Sequence, residues 1–286
     1  MTEDAAASLW RRILSGEADM MSVYTEVMLP KMKTLTESLM ARLELLGDAV
    51  KTDFAWREIE RGTGLTYCFD RSATDCQSLF VPRWPVDPRR FAWWRTMCGL
   101  GSYFFRPEES PVAKYRAVES NGVLSIDTPE GADTWVYLPS KRTYPTTYAL
   151  EFDYTTHQAM AETLQLCFAF DSLADRMRFV LNDNRSLGFE VVKDGLFLAA
   201  RNKDLWGRFR RPRSIALGRP VRVRLEVLEN VFQLFFDGEP AMSVRLKDYV
   251  PHSARWAFIA WNGAEASVPM RIEIANPRVY VRADAS

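Results

Sequence analysis

Beyond Pro111 the apolar positions recur with a period of two, and they keep that period to the end of the chain. Strand-like runs bounded by turn residues cover 113 to 119, 123 to 127, 133 to 138, 147 to 155, 163 to 170, 176 to 181, 187 to 193, 195 to 201, 221 to 228, 231 to 236, 241 to 246, 256 to 261 and 270 to 282. Alternation of this kind puts one face of each run toward a core and the other toward solvent. Asn121-Gly122, Asp194-Gly195, Asp237-Gly238 and Asn262-Gly263 separate runs with the dipeptides that accept positive φ in tight hairpins. No helical period intervenes, so these strands have no crossover helices and must pair antiparallel, in a sandwich or jelly roll.

The N-terminal part follows a different period. Thr2 caps a helix predicted over residues 3 to 15, and Gly16 ends it. A second helical stretch starts near Asp19 and is interrupted at Pro30. After it Met32, Leu35, Leu39, Leu43, Leu46 and Val50 recur at helical spacing. That stripe needs an apolar partner: the sandwich, a neighbouring helix, or the same helix of a second copy. Residues 52 to 111 lose any single period and read as an irregular connector, rich in Trp, Arg and Pro (PRWPVDPRRFAWWR at 82 to 95), packed on the sandwich. The chain thus divides into a helical segment 1–51, the connector 52–111 and a β-sandwich 112–286.

The segment Gly218 to Val244, GRPVRVRLEVLENVFQLFFDGEPAMSV, carries the most information. Val221, Val223, Leu225 and Val227 share one face and Arg222, Arg224, Glu226 and Leu228 the other; Glu229-Asn230 turns the chain into a second strand that Asp237-Gly238 closes. This hairpin, with the final strand MRIEIANPRVYVRA at 270 to 283, resembles the concanavalin A-like and laminin-G-like jelly-roll sandwiches over about residues 112 to 283. The resemblance implies a mainly β, antiparallel sandwich behind a helical N-terminal segment. It does not imply one activity, because that fold hosts lectins, glycoside hydrolases, polysaccharide lyases and adhesion modules.

Composition narrows the function classes. Lys plus Arg and Asp plus Glu both number 37 in 286 residues, so no bulk field draws the chain to nucleic acid or to an anionic membrane. The N-terminus lacks a basic region leading into an apolar run, and no run is long enough to span a bilayer, which together predict a cytoplasmic protein. Cys68, Cys76, Cys98 and Cys167 have no C-x-x-C spacing and read as free thiols, a Cys68 to Cys76 bridge being the alternative.

Candidate chemistry sits in three places. Glu151 and Asp153 share one face of a strand, with His157 just beyond as a candidate base. Retaining glycosidases of the resembled fold carry E-x-D-x-x-E along such a strand, but here Thr156 stands where the second Glu would supply the proton. Trp206, Arg208, Arg210 and Arg211 combine guanidinium forks with an aromatic platform suited to an anionic glycan, and Trp261 offers a further stacking surface beside Trp135 and Trp256. Asn182-Asp183-Asn184 presents oxygen ligands of the sort calcium takes or simply a turn; no other cofactor is called for, and His252 reads as a surface imidazole. Nucleotide motifs and a serine nucleophile elbow are absent from the sequence. These features predict a lectin-like protein that binds a glycan or other small ligand. The alternatives are an intracellular enzyme using an aromatic cleft through Glu151, Asp153 and His157, and an assembly protein that dimerises through the helical stripe.

Overall fold

The computed structural model describes residues 15–16, 34, 37–38, 41–62, 116–128, 134–157, 162–170, 176–182, 187–193, 196–199, 217–262 and 270–283. In chain order the strands are β1 (Leu43–Leu45), β2 (Trp56–Arg61), β3 (Arg116–Ser120), β4 (Val123–Thr128), β5 (Thr134–Pro139), β6 (Thr147–Thr156), β7 (Glu162–Phe170) and β8 (Arg176–Asn182). They continue with β9 (Leu187–Lys193), β10 (Leu196–Ala199), β11 (Val221–Leu228), β12 (Val231–Phe236), β13 (Glu239–Leu246), β14 (Arg255–Asn262) and β15 (Met270–Arg282). A nine-stranded sheet has the order β1-β13-β12-β11-β6-β15-β4-β3, with β2 also on β15, and a six-stranded sheet has the order β10-β9-β8-β7-β14-β5. Strand boundaries within the predicted sandwich agree with the sequence pattern to within a few residues.

The period of two explains how the sheets meet. On β6, Tyr148, Leu150, Phe152 and Tyr154 are buried between the sheets, and Phe152 meets Phe258 of β14 edge to face with ring centroids 4.7 Å apart. Phe168, Phe179, Phe189 and Phe232 form a second aromatic cluster, each fully buried. Each such side chain contributes about 1.5–3 kcal/mol on leaving water. The hairpins turn where expected: Asn121 and Gly122 have φ of 52° and 75°, and Asp237 and Gly238 have 51° and 84°. Positive φ at both central residues matches the twist of the flanking strands.

Two strands fall where none was expected. Leu43–Leu45, assigned to the helical stripe, pairs with β13, Leu43 opposite Leu246 and Leu45 opposite Val244, and both leucines pack on the sandwich core. Trp56–Arg61, assigned to the irregular connector, pairs with β15. Long-range pairing outweighs local pattern in both, since three leucine-rich residues fit either period and WREIER is mostly charged. The sandwich therefore borrows strands from both N-terminal segments. Most of the predicted helix 3–15, of the 19–42 stretch and of the connector lies outside the described residues, as do Cys68, Cys76 and Cys98; Cys167 is buried and forms no disulfide among the described residues.

Irregularities in β15 and β2 shape the outward surface. Between Ala275 and Arg278 the register with β6 shifts, so Asn276 (φ 51°) and Pro277 form a bulge. Ile59 has no partner in the β2 register, a second bulge. Gly62 closes β2 against Pro277: its N–H donates to the Pro277 carbonyl at 2.8 Å, and a Cβ there would come 2.8 Å from the Pro277 ring.

Candidate functional site

With Tyr148, Leu150, Phe152 and Tyr154 turned inward, Ala149, Glu151, Asp153 and Thr155 line the outer face of the nine-stranded sheet. The register sets their neighbours. Glu151 lies opposite Arg224 of β11 and Arg278 of β15, while Asp153 lies opposite Arg222 and Ala275. The E-x-D of β6 thus faces the R-x-R of β11. Arg224 sits 3.4 Å from Glu151 and 2.9 Å from Glu226, and Arg222 sits 3.3 Å from Asp153. Asp153 also accepts a 2.8 Å hydrogen bond from the Asn276 amide, which the β15 bulge presents. Hydrogen bonding and charge attraction from Asp153 hold the Arg222 guanidinium above its usual range.

Above this ladder lies an aromatic clasp. The Arg224 guanidinium stands 5.4 Å from the Trp56 ring centroid and 5.0 Å from that of Tyr280, both rings half-buried. Trp56 comes from β2 and meets Phe54 edge to face at 4.9 Å, and Arg282 stands 5.0 Å over Phe54. On the β2 side Arg61 bonds Glu58 through both carboxylate oxygens, at 2.7 and 3.0 Å, and holds that carboxyl below the usual range. The chain before β2 crosses the same face farther along. The Val50 N–H donates to the Gln233 side-chain carbonyl, and the Gln233 amide donates to the Val50 carbonyl at 3.1 Å and to Glu226 at 3.1 Å. Gln233, Ser243 and Glu226 are buried beneath it.

Of the sequence-predicted residues, Glu151 and Asp153 do share a face, each tied to an arginine. His157 lies farther along that face, where its Nε2 is 3.3 Å from Glu273 of β15 rather than beside the two carboxylates. Thr156 is fully buried in the opposite direction. Positions 151 and 156 differ in parity, and β6 pairs without a shift from Thr147 to Tyr154 with β11 and from Asp153 to Thr156 with β15, so nothing turns both to one side. Trp256 belongs to the core, 6.3 Å from the Tyr144 ring. Trp261 pairs in register with Trp135 and Thr163 on β14. Trp206, Arg208, Arg210 and Arg211 lie outside the described residues, as do Asp183 and Asn184. Among the described residues no three His, Cys, Asp or Glu side chains cluster as metal ligands. His252 meets the Tyr249 hydroxyl at 3.3 Å. Trp56 and Tyr280 escaped the sequence reading, although Arg278-x-Tyr280-x-Arg282 was legible as one strand face.

No family model matches the sequence, and no curated protein does either. In structure the chain is similar to the catalytic domain of an endo-1,3-β-glucanase (laminarinase) from Thermotoga petrophila RKU-1, with TM-score 0.51 and 12% identity over 81% of this chain and 100% of that one. It is also similar to a κ-carrageenase from Pseudoalteromonas carrageenovora (TM-score 0.45, 13% identity, 84% of this chain and 100% of that one). A carbohydrate-binding module from Bacillus subtilis gives TM-score 0.42 and 10% identity over 57% of this chain and 89% of that one. At such identities the likeness speaks to fold and not to activity. Two antiparallel sheets in this arrangement make the chain a concanavalin A-like jelly-roll β-sandwich.

Proposed function

We propose that the protein is a non-catalytic, lectin-like binding protein whose glycan ligand lies on the outer face of the nine-stranded sheet, across Trp56 and Tyr280. The observation that carries this reading is the clasp itself: two half-buried aromatic rings held by Arg224, beside fixed guanidinium and carboxylate groups. Aromatic faces take the apolar side of a sugar ring, and fixed charged groups meet its hydroxyls with little ordering cost. Catalysis has less support. Glu151 and Asp153 are each engaged by an arginine, and position 156, where an E-x-D-x-x-E strand carries its second carboxyl, is a threonine buried in the core.

The test is a glycan array probed with the full chain, followed by calorimetric titration of each hit. Tyr280→Ala and Trp56→Ala, shown folded by circular dichroism, should weaken binding about tenfold or more. A silent array, or folded variants that bind like the parent, would overturn the reading.

A further inference from the structure

We infer that the ligand of this face is acidic, a glycan bearing carboxylate or sulfate groups that Arg278 and Arg282 engage on either side of Tyr280. This rests on the glycan-binding reading above and adds the chemical class of the ligand. Register fixes the placement. Tyr280 lies opposite Ala149 and Glu58, Arg278 opposite Glu151 and Arg61, and Arg282 opposite Trp56, all on the outer face. Alternate residues of a strand stand about 7 Å apart, so the ring of Tyr280 has a guanidinium one step away in each direction.

These two arginines differ from the others on the face in what they meet. Arg61 pairs with Glu58, Arg222 with Asp153, Arg224 with Glu151 and Glu226, Arg245 with Glu44, and Arg271 with Glu273 and Asp127. Among the described residues, Arg278 and Arg282 have no carboxylate oxygen within 4.0 Å. Arg282 instead stands 5.0 Å over the Phe54 ring, a contact that uses the guanidinium face rather than its N–H donors. The nearest acids are already engaged, Glu58 by both nitrogens of its Arg61 bond and Glu151 by Arg224. Arg278 acts on Glu58 only through its field. The chain as a whole carries no net charge, so this excess of cation is local to the β2 and β15 rim. A planar fork beside an aromatic ring suits an anionic oxygen pair carried on a sugar, which the fork can bind through two parallel hydrogen bonds.

Titration of the full chain with a neutral 1,3-β-glucan oligosaccharide, an oligogalacturonate, a sulfated dextran oligosaccharide and polyphosphate tests the inference. An acidic oligosaccharide should bind at least about tenfold tighter than the neutral one. Arg278→Gln and Arg282→Gln should each remove most of that preference while leaving the melting temperature unchanged. Whether oligogalacturonate or dextran sulfate gains more separates carboxylate from sulfate. Equal binding of neutral and acidic sugars, insensitive to both substitutions, would overturn acidity and leave the glycan reading standing. Polyphosphate binding as well as the acidic sugars, with Tyr280→Ala silent, would overturn both. So would the absence of binding to every probe.

Discussion

Replacing Arg224 with Met keeps an unbranched stem between Trp56 and Tyr280 but removes the charge that two carboxylates share. The Arg224, Glu151 and Glu226 side chains retain only 20%, 16% and 10% of their exposure, so the pair at 2.9 Å and the contact at 3.4 Å lie largely out of water. Breaking a buried pair by removing one partner costs about 3–5 kcal/mol, and residual solvation here reduces that to about 2–3 kcal/mol. Loss of the two ring contacts adds about 0.5 kcal/mol each. Arg224→Met should therefore lower unfolding stability by about 3 kcal/mol, read by urea denaturation followed by circular dichroism. Most of that loss arises from stranding Glu226 beneath the Val50 crossing. The double variant Arg224→Met/Glu226→Gln should consequently recover at least about 1 kcal/mol relative to the sum of the single changes. A loss under about 1 kcal/mol, or strict additivity of the two changes, would show that the ladder does not hold this face together.

Two further outcomes follow from burial. The Tyr148 hydroxyl is buried between the sheets with no hydrogen-bond partner among the described residues, so Tyr148→Phe should raise stability by about 1 kcal/mol, or about 2–4 °C in melting temperature. Burial pushes the Tyr148 hydroxyl well above its ordinary value of 10.0. Below that pH both states are neutral; as pH rises past it the unfolded chain ionises first, and stability falls. The Phe variant should lose part of this alkaline decline, and an identical pH profile for the two proteins would refute the burial argument. Thr156→Glu would force a carboxylate into the core and should cost several kcal/mol or prevent folding; hydrolysis of a 1,3-β-glucan by a folded Thr156→Glu variant would contradict the parity of β6.

The legible part of the fold was the part governed by parity. Val221 to Phe236 alternates so regularly that strand limits, inward face and turn could all be read from the residues, and Asp237-Gly238 left one turn geometry open. Glu151 and Asp153 could be put on one face for the same reason. Their partners could not, because β6 and β11 are separated in sequence by four strands of the other sheet. Nothing local reveals that E-x-D will face R-x-R. β2 was hidden by its own composition: in WREIER only Trp56 and Ile59 are apolar, and the bulge at Ile59 breaks their period. Trp56 thus reaches the site through tertiary pairing alone. Tyr280 was visible as a strand residue, yet its role emerges only when β2 brings Trp56 to the other side of Arg224.

Hydroxyl-radical footprinting of the full chain, with and without a saturating acidic oligosaccharide, tests the central claim most directly, because it reports which side chains a ligand covers. Oxidation of Trp56 and Tyr280 should fall on binding while that of the core residue Trp256 is unaffected. Unchanged oxidation of Trp56 and Tyr280, with protection appearing on the six-stranded sheet instead, would contradict it.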